Sequence, residues 1–219
     1  MRAPGPSPVR PVLVAVVDSG WDRARAEPRV LAGRAFSGNP ADDHDRLGHG
    51  TACIEAVLRH APAGRVLPVR VFGAEPETSA EVLAAAIRSA AAAGADVIAL
   101  SLGTRLKEAR PLLEGACIDA RAAGALLIAA GPNAGPPTLP ACLPMVIGVW
   151  PAAGGGGGER FRVRCRDTLD LEVLADEGCR MGTSLAAAEV AGRLATLLAQ
   201  GWARDPSRLI EGVGGGPSP

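Results

Sequence analysis

No stretch of this 219-residue chain reaches the ~18 consecutive apolar residues of a membrane-spanning helix, so no membrane role is expected. The opening residues, MRAPGPSPVRP, carry no apolar run before Val12. Neither a secretion signal nor a propeptide is expected ahead of that point, and the chain is expected to be cytoplasmic. Charge of one sign is missing too. The 23 Lys and Arg balance 23 Asp and Glu, and no basic block stands out, which argues against nucleic acid or an anionic membrane surface as partner. The five cysteines, Cys53, Cys117, Cys142, Cys165 and Cys179, are odd in number and contain no CxxC pair. A disulfide framework and a zinc site are thereby disfavoured, and reduced, mostly buried thiols are expected. No metal or other cofactor is expected. Only three histidines (His44, His49, His60) and two asparagines (Asn39, Asn133) are available for chemistry that needs them.

What is present is an alternation. Short runs rich in Val, Ile and Leu, namely Val12 to Val17, Arg65 to Phe72, Asp96 to Ser101, Ala125 to Ala130 and Met145 to Trp150, read as buried strands. Alanine-rich stretches between them read as crossover helices, one opening at Ser79 and stopping at Gly94, another stopping at Gly124. A last helix is expected over about Ser184 to Gln200. The pattern predicts an α/β protein, a three-layer α/β/α sandwich around a mostly parallel central sheet. Residues 1–11 are expected to be a flexible N-terminal segment, 12–203 one compact domain, and 204–219 a flexible tail. Gly154 to Glu159 reads as a flexible surface loop.

In open parallel sheets function gathers at the carboxyl edge of the strands. Three polar patches fall there: VVDSGWD around Asp18, DRLGHGTACIE around His49, and GCRMGTSLAAAEVAG around Ser184. Taken singly, each has an ordinary explanation. Asp18 could be a turn residue or a helix cap, and Ser184 an N-cap. Asp-Ser-Gly also occurs in aspartic peptidases, but those need two carboxylates and this chain has one such triplet. His49, with glycine on both sides before an apolar stretch, is harder to explain by packing. A fourth stretch, LLIAAGPNAGPPTLPA, breaks from an apolar run into Gly131, Pro132 and Asn133, where an amide could be either turn chemistry or a donor to substrate.

Together the patches resemble a known family. VAVVDSG, DRLGHGTACIEAV and GTSLAAAEVAG are similar to the three signature blocks of the subtilisin-like serine peptidases, in the same Asp, His, Ser order. HAPAGRVLPVRVF and ADVIALSLG are similar to the family's connecting blocks, so the likeness runs from about Val12 to Gln200. It implies a subtilisin-like fold. Ser184 would be the nucleophile, His49 the general base and then acid, and Asp18 the carboxylate that orients His49. Asn133 would be the oxyanion-hole amide, acting with the Ser184 backbone N–H. Ser101, Leu102 and Gly103 would pair with an extended substrate, and Gly131 and Pro132 would wall the pocket beside it. Cys53 would pack beneath His49.

The match also departs from the family. Pro132 stands where the family has glycine, and it fixes φ and removes an N–H. Ala188 and Glu189 replace the usual Pro and His, and the segment from Asn133 to Ser184 is short and glycine-rich. The acidic stretch Asn39 to Asp45 lacks the ligand spacing of an EF-hand calcium loop and reads as solvated, as do His44 and His60. The expected activity is serine endopeptidase cleavage through an acyl-enzyme, dedicated to maturing a specific precursor peptide. The alternative is a catalytically impaired binding or scaffold subunit that needs a partner. A ligase or cyclase would share the acyl-enzyme and differ only in the resolving nucleophile.

Overall fold

The computed structural model describes residues 10–151, 161–165, 169–173 and 182–213. The five apolar runs become β1 (Leu13–Asp18), β3 (Arg65–Arg70), β4 (Val97–Leu100), β5 (Leu126–Ala130) and β6 (Ile147–Pro151). Three strands join them: the two-residue β2 (Arg34–Ala35), β7 (Phe161–Cys165) and β8 (Leu169–Val173). They form one sheet in the order β2-β3-β1-β4-β5-β6-β8-β7, parallel throughout except for the β7/β8 pair.

Successive side chains of a strand point to opposite faces, so a strand buried on both sides must feed two cores. β1 does so. Val14 and Val16 enter a core closed by α1 (His49–His60), α4 (Gly182–Ala199) and α5 (Pro206–Val213). Ala15 and Val17 enter a second core closed by α2 (Ala80–Ala92) and α3 (Arg110–Ala122). The result is the three-layer α/β/α sandwich that the alternation predicts. The expected punctuation is also in place. The Ser79 side chain accepts the Val82 N–H at 3.3 Å, capping α2, and Gly94 and Gly124 follow α2 and α3 at φ 77° and 88°.

Two segments expected to be flexible are anchored in part. Within the C-terminal tail, α5 puts Leu209, Ile210 and Val213 into the first core. Near the start, Arg10 holds Asp96 with two hydrogen bonds of 2.8 and 2.9 Å. Buried apolar area and a bidentate ion pair offset the chain entropy that Gly- and Pro-rich flanks would otherwise keep. The Gly154 to Glu159 loop, residues 214–219 and Cys179 lie outside the described residues. Cys53 and Cys117 are buried and Cys142 half-buried, all three with free thiols. No helix among the described residues is long and apolar enough to cross a membrane.

The chain leaves β1 for β3 on one side, then crosses back past β1 to lay down β4, β5 and β6 on the other. The strand order thus reverses at β1. A crevice opens at the carboxyl end of a strand in that position, and Asp18 is the last residue of β1.

Candidate active site

Asp18 is fully buried, and its Oδ1 accepts the Ser19 N–H at 2.6 Å. The first turn of α1 is pressed against the loop that follows. A Cβ added to Gly50 would lie 2.5 Å from the Gly20 carbonyl oxygen, and the Gly50 N–H donates to Ser19 Oγ at 2.8 Å. Only glycine permits that approach. It brings the neighbouring His49 to Asp18, with Nδ1 at 2.9 and 2.8 Å from Oδ1 and Oδ2. A carboxylate on Nδ1 fixes the tautomer with Nδ1 protonated and leaves Nε2 as the basic nitrogen. The Asp18 hydrogen bond raises the His49 pKa above its ordinary value, with burial acting the other way.

No side chain caps α1 at Gly48 itself, which sits at φ 76°. Asp45 supplies the cap from outside. Its Oδ1 accepts the Leu47 and Gly48 N–H groups at 2.9 Å, and its Oδ2 accepts the Thr51 N–H at 2.8 Å and the Thr51 hydroxyl at 2.6 Å. Burial disfavours the charge, yet the Thr51 hydroxyl and the backbone donors carry its pKa below the ordinary carboxylate value. Asp43 is buried as well, accepting from Arg23 at 2.6 Å and from the Gly33 N–H at 2.7 Å. Within the acidic stretch, read from sequence as solvated, Asp43 and Asp45 turn inward as scaffolding, Asp42 is half-buried, and Asn39 to Ala41 are exposed. The alternation of short polar residues there conceals which carboxylates turn inward. His44 is exposed, as expected.

The opposite wall is built from β5 and α4. Thr183 Oγ1 donates to the Gly131 carbonyl at 2.6 Å, and the Thr183 N–H donates to Asn133 Oδ1 at 3.0 Å. Gly182, at φ 60°, lies flat on the Asn133 amide, and a Cβ there would fall 2.4 Å from Oδ1 and 2.7 Å from Nδ2. With Oδ1 committed to a backbone donor, the Nδ2 group of Asn133 is left to donate outward. Ser184 follows in the first turn of α4, where backbone N–H groups have no intrahelical acceptor and the helix dipole favours negative charge. Its hydroxyl donates to the Ser101 carbonyl at 3.1 Å. Among the described residues no hydrogen bond joins Ser184 to His49.

Ser101 links the two walls. Its Oγ lies 3.6 Å from Cys53 Sγ, which is itself 3.9 Å from His49 Nδ1. Burial, with Asp18 next in effect, pushes the Cys53 thiol far above its ordinary pKa, so this cysteine packs as a neutral thiol. Asp18, His49 and Cys53 also offer ligand atoms within 4.8 Å of one another, but a cation there would displace the Asp18–His49 hydrogen bond. Beyond Ser101, the backbone groups of Leu102 and Gly103 make no hydrogen bond among the described residues, whereas Thr104 pairs with Leu139 in both directions at 2.8 Å. That leaves a short open edge suited to an added strand. One pairing was not legible in sequence. Glu189, buried in α4, lies 3.8 Å from His60 Nε2 at the end of α1, a contact between residues far apart in the chain.

Asp18, His49, Ser101, Asn133 and Ser184 thus meet at one edge of the sheet, brought there by three strand ends and two helix starts. The sequence profile of the Subtilase family matches residues 10–152. The chain belongs to the subtilase family. The matched span includes Asp18, His49 and Asn133 and stops short of Ser184. Members of this family are serine endopeptidases of the subtilisin type, and the fold of this subtilase agrees with solved relatives. The epidermin leader peptide processing serine protease of Staphylococcus aureus superposes with a TM-score of 0.72 at 18% identity, over 92% of this chain and 68% of that one. The nisin leader peptidase of Lactococcus lactis gives 0.70 at 20% identity, over 91% and 81%. A cold adapted subtilisin-like serine proteinase gives 0.68 at 22%, over 91% and 79%. No curated protein matches the chain by sequence.

Proposed function

We propose that this subtilase cleaves peptide bonds through an acyl-enzyme in which Ser184 is the nucleophile, His49 the proton carrier and Asp18 its orienting carboxylate. The observation that carries this reading is the contact of His49 Nδ1 with the buried Asp18 carboxylate at 2.8 Å, which reserves Nε2 for the serine proton. The Ser184 hydroxyl rotates from the Ser101 carbonyl toward Nε2 as substrate binds. Its oxygen then attacks the peptide carbonyl carbon, and the developing oxyanion takes hydrogen bonds from Asn133 Nδ2 and the Ser184 N–H. His49 returns the proton to the leaving amine, and water repeats the sequence on the ester.

An extended, flexible segment suits the open edge of Leu102 and Gly103, and the leader of a precursor peptide is such a segment. Two of the solved relatives are described as acting on leader peptides, which favours the same substrate class here. The test is incubation of folded protein with a fluorophosphonate, followed by mass mapping. Covalent modification at Ser184, absent from Ser184→Ala, is expected. An unmodified Ser184 would remove the hydrolase reading.

The seating of the Ser184 hydroxyl on Ser101 also favours a second reading, a peptide-binding subunit that becomes reactive only with a partner. That protein would bind extended peptides equally well with Ser184→Ala and turn over neither, whereas cleavage by the unmodified chain alone rejects it.

A further inference from the structure

We infer that the recess receiving the side chain on the acyl side of the cut is closed at its floor by Trp150 and Thr138, and that this subtilase selects glycine, alanine or serine there. The inference rests on the reading of Ser184 as nucleophile.

A peptide whose carbonyl carbon meets Ser184 and whose carbonyl oxygen meets Asn133 Nδ2 has little choice about where that residue's side chain goes. α4 lies behind the serine, so the side chain must pass between the segment leaving β4, Leu102 and Gly103, and the segment leaving β5, Gly131 to Asn133. These are continuations of neighbouring strands, about 4.8 Å apart while paired, and the pairing ends at Leu100 and Ala129. Both walls carry a glycine. On an ordinary surface that would leave a deep, wide slot.

Here the slot is filled from behind. A Cβ on Gly131 would fall 2.2 to 2.7 Å from three carbons of the Trp150 indole, so the ring lies directly on that wall. The same ring folds back over Gly148, whose Cβ would be 2.6 Å from the indole nitrogen. On the other wall, a Cβ on Gly103 would lie 2.9 Å from Thr138 Oγ1 and 3.0 Å from Thr138 Cβ, and Thr138 is itself buried. The bridge between Thr104 and Leu139 fastens the loop carrying Thr138 across the far end. The space that the two glycines vacate is therefore already taken by an indole and a threonine side chain. Interiors packed at this density admit little beyond a methyl or hydroxymethyl group without moving those side chains.

Peptidyl diphenyl phosphonates test this without needing turnover. Ser184 Oγ bonds to phosphorus, phenoxide leaves, and the serine proton passes through His49 to the phenol, so the rate of covalent modification reads the fit of the adjacent side chain. Paired probes differing only in Ala against Phe at that position are compared on the full chain. Wild type is expected to react at least about tenfold faster with the Ala probe, the scale of discrimination set by pocket size. Trp150→Ala is expected to raise the Phe-to-Ala rate ratio by about tenfold or more. Thr138→Gly should raise it less, and it supplies a second variant if Trp150→Ala fails to fold. Equal or faster reaction of wild type with the Phe probe overturns the inference. So does an unchanged ratio in a folded Trp150→Ala protein. A Ser184 that accepts a small fluorophosphonate but prefers the Phe probe refutes this pocket alone, whereas a Ser184 inert to every phosphonate refutes the nucleophile reading and this inference with it.

Discussion

The two walls of the site are fixed in different ways. The β1/α1 wall is complete without substrate, with Asp18 already on His49 and Asp45 satisfying the first turn of α1 from outside. The β5/α4 wall is fixed at its turn but not at its serine. Asn133, Thr183 and Gly131 are tied together, while the Ser184 hydroxyl rests on a backbone carbonyl. Proton-carrying groups need a fixed tautomer and a fixed electrostatic setting, which buried hydrogen bonds supply cheaply. A nucleophile needs only one side-chain rotation, which substrate can trigger. With the residues in the roles proposed above, preorganisation lies in His49 and Asn133, and the serine aligns last.

The strongest way to break this comparison is at Ser184. Ser184→Ala should lower kcat by about 10⁴-fold or more, since loss of a triad nucleophile leaves only binding and oxyanion stabilisation. Peptide affinity should persist, because the open edge and both walls remain. A loss of affinity matching the loss of kcat would mean that the serine also builds the site. Next in size is Asn133→Ala. A donor of this kind in the related subtilisin is worth about 10² to 10³ in kcat, and the same range is expected here with KM little changed. The variant also strips the acceptor from the Thr183 N–H. A large fall in melting temperature beside an unchanged kcat would make Asn133 a structural residue of the turn.

On the other wall the expected effect is on stability. Asp45→Asn keeps the shape but removes the charge that four donors share, and a neutral amide also turns an N–H₂ toward one pair of them. Hydrogen bonds to a buried charge are worth enough that about 2–3 kcal/mol should be lost. For a chain of this size that is roughly 5–10 °C in melting temperature, read by calorimetry. Because α1 carries His49, kcat should fall as well. If stability drops and kcat holds, His49 does not depend on the cap.

The central strands and the four site-bearing stretches were legible in sequence because each is local: a run of Val, Ile and Leu, or a glycine beside a reactive residue. What escaped was non-local. Leu209, Ile210 and Val213 mark one helical face, but the surrounding Gly and Pro point to a tail, and only the waiting core explains α5. Asp43 and Asp45 sit among five polar or charged residues, so their burial depends on Arg23, Gly33 and Thr51 arriving from elsewhere. Pro132 is the break from the family pattern that the sequence displays. What presses on Gly131 next door is the side chain of Trp150, brought in from the next strand, β6.

The smallest expected effect bears on the preset state of His49. The Asp18 hydrogen bond raises its pKa in the folded protein, so the acid limb of kcat/KM, which reports the free enzyme, should inflect above the ordinary histidine value of about 6.5. The same shift couples to folding. A base with a raised folded pKa adds stability that is fully present below its unfolded value and is lost as pH rises through the folded one. The contribution of His49 to stability should therefore fade just where activity rises, so that the active, neutral form is the less stabilised of the two. A titration of the His49 ring by NMR, set beside the pH dependence of unfolding, measures both. An inflection at or below 6.5 would show that burial outweighs Asp18, and would place the two walls on an equal footing, each awaiting substrate.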